Sequence, residues 1–229
     1  MRILIFGATG MVGHGVLREC LRAPDVQYVQ TVGRTPTGQL DPRLYELVHR
    51  DFTDYRSIEG SLRGFDACFF CLGISSVGMS EADYTRITYD YTMAAAQTLA
   101  RLNPRMTFVF VSGASTDSTE LGRTMWARVK GRAENALQRL PFKAVYLMRP
   151  GVIQPLHGIR SKTWIYRAAY ALLTPLLTPL RMLLPNYVLS TQDIGLAMLT
   201  LAREGAPHAV LETRDIRALS RHAAQPAVA

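Results

Sequence analysis

Arg2-Ile3-Leu4-Ile5-Phe6-Gly7-Ala8-Thr9-Gly10-Met11-Val12-Gly13 follows the first methionine. A short apolar run leads into three glycines spaced G-x-x-G-x-x-G. A helical pattern then places Val12, Val16, Leu17 and Leu21 on one face. Read physically, a buried parallel strand ends, the chain turns tightly on its glycines, and the free N–H groups of a helix start face an anion. The glycines carry weight because of where they stand, between a strand and a helix. They predict a dinucleotide-binding turn, with Gly7, Thr9, Gly10, Met11, Val12 and Gly13 as its cofactor-contacting residues.

The pattern beyond the turn repeats strand and helix. Strands are predicted at Arg2–Phe6, Val26–Val32, Tyr45–His49, Asp66–Leu72, Met106–Ser112 and Lys143–Arg149. Between them come a helix from Ser80 to Leu102, with Ser80 as N-cap and Asp83 three residues on, and a largely helical Leu121–Leu140. Short apolar strands alternating with helices imply a doubly wound parallel sheet of Rossmann type, covered by helices on both faces. With 229 residues the chain suits one NAD(P)-binding domain, residues 151–229 supplying a smaller, substrate-covering subregion. Thr191-Gln192-Asp193 opens a last clear helix, Ile194–Ala202, and Ala223–Ala229 reads as a frayed tail.

The net charge of +8 comes almost wholly from scattered arginines, since lysine occurs only at 130, 143 and 162. Without a basic run, no nucleic-acid partner is expected, and the charge suits a phosphate-bearing cofactor. The three cysteines, with a strand beginning at Arg2, point to a cytoplasmic, reducing setting. Cys68 and Cys71 form C-x-x-C, but three residues along a strand separates their side chains onto opposite faces, so no metal site is expected. The Trp164–Leu184 stretch is apolar, broken by Pro175 and Pro179, and bracketed at its most apolar part by Arg167 and Arg181. It reads as a substrate-covering or core segment, a homodimer surface, or a peripheral membrane patch whose arginines meet lipid phosphates.

Specificity between dinucleotides is read about twenty residues past the glycines. Val32-Gly33-Arg34-Thr35 offers no carboxylate for ribose hydroxyls and one guanidinium for a 2′-phosphate, so NADP is expected over NAD. Asp51 and Phe52 stand where an adenine is held, although Asp51 also reads as an N-cap. Gly73, after Leu72, lets backbone lie against a ribose.

These features, with Val111-Ser112-Gly113, Val129-Lys130-Gly131-Arg132-Ala133-Glu134 and Arg149-Pro150-Gly151, follow the order and spacing of the short-chain dehydrogenases/reductases. The chain resembles their atypical branch, which holds NAD(P)-binding epimerase-like proteins and the Tat-interacting regulator group. The resemblance covers Met1–Ile153 and extends loosely to the helix opened by Asp193. It implies a Tyr-x-x-x-Lys pair on one helix face, the phenol as acid/base and the lysine holding the nicotinamide ribose, with a serine after strand five on the substrate oxygen. It also implies cofactor contacts at Leu72, Gly73, Lys130, Pro150 and Val152.

Lys130 matches the lysine, but Trp126 stands four residues before it, where the pattern has tyrosine. An indole N–H donates a hydrogen bond and does not titrate usefully, so it cannot replace the phenol. Of Ser112, Ser115 and Ser118, Ser115 is the expected substrate contact, because Ser112 lies at the strand's end. Lys130 otherwise reads as an i,i+4 salt bridge to Glu134. Asp117, Glu120, Tyr84 and Tyr89 are the other candidate proton donors, and His157 reads as structural. The expectation is an NADP-dependent oxidoreductase acting on a small carbonyl or hydroxyl compound. The alternative is a non-catalytic NADP sensor that binds a protein partner.

Overall fold

The computed structural model describes residues 1–156 and 187–224. His157 and the Trp164–Leu184 stretch lie outside the described residues. The strands are β1 (Arg2–Phe6), β2 (Tyr28–Gly33), β3 (Leu44–Val48), β4 (Ala67–Phe70), β5 (Thr107–Val111), β6 (Ala144–Arg149), β7 (Val152–Gln154), β8 (Val188–Ser190) and β9 (Val210–Glu212). Seven form one sheet in the order β3-β2-β1-β4-β5-β6-β9, parallel at every pairing; β7 and β8 pair separately, also in parallel. This is the doubly wound Rossmann architecture. Its strand order reverses between β1 and β4, which opens a crevice beyond their carboxyl ends.

The period of two along each strand divides the core between the sheet's faces. Ile3 and Ile5 join the cluster holding Val16, Leu17, Leu189 and Ile194. Leu4 and Phe6 join the other, with Phe70, Phe108, Phe110 and Leu99. Cys68 is buried in the second cluster, while Cys71 packs against the first, so the two thiols face apart.

The first face is covered by α1 (Met11–Arg22) and α5 (Thr191–Arg203), with α6 (Thr213–Ala224) packed on α5. α1 and α5 approach closely because both carry glycine at the contact. A Cβ on Gly15 would lie 2.6 Å from Thr191 Cβ, and one on Gly195 would lie 2.8 Å from Glu19 Cγ. The second face carries α3 (Tyr91–Leu102) and α4 (Met125–Leu137).

The helix expected from Ser80 is present, with Ser80 Oγ accepting the Asp83 N–H at 3.1 Å. It runs as α2 (Glu81–Thr85), a π-helical turn (Arg86–Asp90) and α3. The Leu121–Leu140 helix is shorter than expected. The Asp117 carboxylate receives the N–H groups of Thr119 (3.0 Å) and Gly122 (2.6 Å), and holds the chain in a loop until Thr124. The cap of α5 is Ser190, one residue ahead of the expected opening; it forms a capping box with Asp193. β9 extends the main sheet, and Leu189, Ile194, Leu211 and Ile216 lie in its core, so this part of residues 151–229 shares the main core.

A buried ion pair ties α4 to β6. Glu134 is fully buried and receives Arg149 Nε at 3.1 Å; the same guanidinium reaches Ser118 Oγ at 2.6 Å and Glu212 at 3.5 Å. Removing one partner leaves the other charge uncompensated, which costs about 3–5 kcal/mol. Urea unfolding of Glu134→Gln is therefore expected to show a loss of about 3 kcal/mol, much of it recovered in the double variant Glu134→Leu/Arg149→Met. An unchanged midpoint in the single variant refutes this account.

Candidate functional site

The glycine turn is built by steric exclusion. Gly7 has φ +77°, and a Cβ there would lie 2.7 Å from the backbone of Cys71 and Leu72. A Cβ on Gly13 would lie 2.2 Å from the Gly7 carbonyl oxygen, so the first turn of α1 sits on the end of β1. The Gly10 N–H closes the loop onto that oxygen at 2.9 Å. Gly10 is the N-cap, no side chain caps the helix, and its first turn has no acidic residue. Its N-terminal N–H groups, from Met11, Val12 and Gly13, are thus suited to a diphosphate, with Thr9 beside them. The cradle fits the cofactor that the sequence implies, because only glycine leaves its floor open.

The other expected cofactor residues also lie past the carboxyl ends of strands. Arg34 follows β2 directly, is exposed, and makes no ion pair among the described residues. The loop after it is fastened at two points. Glu46 accepts the N–H and Oγ–H of Thr37, both at 2.5 Å, and Gln39 Nε2 donates to His14 Nε2 at 2.8 Å. Partial burial lowers the His14 pKa, in keeping with an unprotonated acceptor nitrogen.

Asp51 is exposed, and its carboxylate accepts from Thr53 N at 2.9 Å and Thr53 Oγ1 at 2.5 Å, which lowers its pKa. Phe52 is committed to the core, stacked on Tyr91 with ring centroids 5.7 Å apart. Leu72 is half-buried, and Gly73 is exposed with open space where a Cβ would point. Pro150 is buried and its carbonyl receives the Ala114 N–H at 2.9 Å; Val152 is exposed at the start of β7.

The three serines after β5 separate cleanly. Ser112 is buried, its Oγ 3.0 Å from Thr116 Oγ1. Ser118 is held by Arg149. Ser115 is exposed at φ +66°, and its hydroxyl has no partner among the described residues. A serine in the left-handed region is strained by about 1–3 kcal/mol, and such strain gathers at functional sites.

α4 brings the other two groups. It presses on the same loop at Gly131, where a Cβ would lie 1.8 Å from the Asp117 carbonyl oxygen, and Asp117 N donates to Ala127 O at 3.1 Å. Trp126, half-buried, lies beside Gly113. One turn on, Lys130 Nζ stands 5.6 Å from the centroid of the Phe110 ring. Lys130 makes no ion pair among the described residues, since Glu134, the partner its spacing suggested, is taken by Arg149. Burial pushes the Lys130 amine down to about 8, against the nearby Glu134 charge, which acts to raise it.

The remaining candidate acids are occupied. Hydrogen bonds from Thr119 and Gly122 lower the pKa of Asp117. Glu120 receives Asn135 Nδ2 at 2.8 Å, Tyr84 is buried, and Tyr89 lies under the Arg132 guanidinium at 4.2 Å. Neither the Ser115 backbone conformation nor the Gln39–His14 contact has a signature in the residue pattern. Gly131 was visible as a glycine inside a helix, where it is unfavourable unless something must come close.

The sequence model of the NAD dependent epimerase/dehydratase family matches residues 3–120. Protein HTATIP2 of Rattus norvegicus is 25% identical over 199 residues, which are 81% of this chain and 81% of that protein. "Protein FMP52, mitochondrial" of Saccharomyces cerevisiae is 29% identical over 168 residues, 71% of this chain and 69% of that protein. The crystal structure of the Bordetella bronchiseptica enzyme WbmF in complex with NAD+ and UDP superposes with a TM-score of 0.67. It covers 97% of this chain and 77% of its own, at 15% identity, and so attests the fold.

Strain at Ser115 has a measurable sign. Ser115→Gly is expected to raise the unfolding free energy by about 1 kcal/mol, because glycine adopts the left-handed region without penalty. Guanidinium unfolding checks this, and a destabilised variant contradicts it.

Proposed function

The chain belongs to the NAD dependent epimerase/dehydratase family, as an NAD(P)-binding protein of the atypical short-chain dehydrogenase/reductase class, and from that premise we propose an NADP-dependent oxidoreductase acting on a small carbonyl or hydroxyl compound. The observation that carries this reading is two polar groups left without a hydrogen bond or ion pair on the β5–α4 side of the fold. Among the described residues the Ser115 hydroxyl, in the loop after β5, makes no hydrogen bond, and the Lys130 amine of α4 makes neither a hydrogen bond nor an ion pair. A bound dinucleotide supplies hydride chemistry. The chain's own part is to hold and orient: the glycine turn takes the diphosphate, Lys130 the nicotinamide ribose, and Ser115 the substrate oxygen. The three free thiols are in keeping with a reducing, cytoplasmic setting.

NADP is favoured over NAD by Arg34, which is exposed, unpaired among the described residues, and followed by no carboxylate until Asp41. A guanidinium–phosphate bond of about 1.5–3 kcal/mol corresponds to roughly 10- to 100-fold in affinity. Fluorescence titration is expected to give NADPH the tighter binding by that factor. Arg34→Ala should erase the preference while leaving NADH affinity nearly unchanged. Equal affinities in the unaltered protein would remove the NADP assignment.

Trp126 favours a second reading, in which the dinucleotide is bound but never turned over and the loaded protein engages a protein partner. The two readings part on one assay. Sustained NADPH oxidation with aldehydes, ketones or quinones supports the enzyme. Tight binding without turnover, together with reductase activity gained in Trp126→Tyr, supports the sensor.

A further inference from the structure

We propose that Lys130 is itself the acid–base group of this site, its Nζ giving the proton that joins the substrate oxygen during reduction. The inference rests on the oxidoreductase reading above and deepens it. Lys130 shares a face of α4 with Trp126, one turn away, and Trp126 has no proton to give in the accessible pH range. The amine stands over the Phe110 ring near the carboxyl end of β5, on the helix that packs against the following loop through Trp126 at Gly113 and Gly131 at Asp117.

Among the described residues, the other candidate acids and charged groups of α4, of the loop after β5 and of the neighbouring helices are committed. On α4 itself, Glu134 is bound by Arg149 of β6, and Arg128 pairs with Glu81 of α2 at 2.8 Å. In the loop, Asp117 accepts from Thr119 and Gly122, and Glu120 from Asn135. From the π-helical turn, Tyr89 is covered by Arg132; from α2, Tyr84 is buried. Asp117, its pKa lowered by these hydrogen bonds, stays ionised at neutral pH and is a poor donor.

Burial alone makes the amine a useful acid. Held at about 8, it is mostly protonated at neutral pH and is about a hundredfold stronger as an acid than an ordinary phenol. Losing the proton relieves a buried charge, so the apolar surroundings favour donation. The step balances. The carbonyl carbon takes a hydride from the reduced nicotinamide dinucleotide, which is thereby oxidised. The carbonyl π pair moves onto oxygen, and an N–H bond of the ammonium breaks as its proton joins that oxygen. Lys130 remains as the neutral amine and recovers a proton from solvent.

The first test reads the amine directly. Brief acetylation between pH 6 and 11, followed by peptide mass spectrometry, gives a titration for each lysine. Lys130 is expected to react with a midpoint near 8, well below the ordinary lysine value of about 10.4. A Lys130 midpoint above 10 overturns the proposal. The second test uses the two directions of the reaction. Reduction needs the protonated amine, so its kcat should fall as pH rises through about 8. Oxidation of the matching alcohol needs the neutral amine and should rise through the same pH.

Lys130→Arg, permanently charged, should lose about 100-fold or more in kcat at neutral pH when measured at saturating dinucleotide. If it keeps kcat within tenfold, the oxidoreductase reading stands and the Lys130 assignment falls. If the dinucleotide binds and no carbonyl is reduced by the unaltered protein, the oxidoreductase reading falls and takes this assignment with it.

Discussion

The first turn of α1 lies on the end of β1 with no room for a single methyl group between Gly13 and the Gly7 carbonyl. That contact sets the height of the helix over the sheet. The left-handed turn at Gly7 then brings the end of β1 against the backbone of Cys71 and Leu72, where β4 finishes. Strand end, neighbouring strand end and helix start become one corner. The crevice made by the reversal of strand order opens at that corner, and the uncapped N–H groups of α1 face it.

A second close approach sets the opposite wall. Gly131 lets α4 lie directly on the loop after β5, and the Asp117 carboxylate stiffens that loop from the inside. Unfavourable terms gather there: Ser115 and Glu120 both take the left-handed region, and Lys130 is desolvated. Backbone strain and desolvation concentrated in one loop and the helix packed on it are features that functional sites share.

The strands from β1 to β6 and the helices between them could be read from the sequence because each carries a long apolar pattern with a clear stop. β9 and β7–β8 could not, since three residues such as Val210-Leu211-Glu212 carry no period. α6 has an amphipathic face in Ile216 and Ser220, but it follows β9 without an intervening turn, so no stop announced it. At the candidate site, residue types and spacing singled out the glycines, Arg34, Ser115 and Lys130 as candidates. What spacing could not give was who pairs with whom. Glu134 is an i,i+4 neighbour of Lys130, yet Arg149, brought in by β6, holds it. Asp51 and Phe52 were read together, but packing separates them: the carboxylate is exposed and the ring turns inward, onto Tyr91.

The contact of Gly15 and Gly195 across α1 and α5 has a consequence for how the molecule assembles. α1 precedes in the chain the helix that covers its back, which arrives only with Thr191–Arg203. Until then Gly15 and the buried Glu19 lack the neighbours that Thr191 and Gly195 supply, and nothing behind α1 fixes its tilt. The phosphate cradle is thus made before its support and is completed by a contact between residues far apart in the chain. Contacts of this kind slow folding and lengthen the time for which an apolar face stands exposed to chaperones or to other nascent chains.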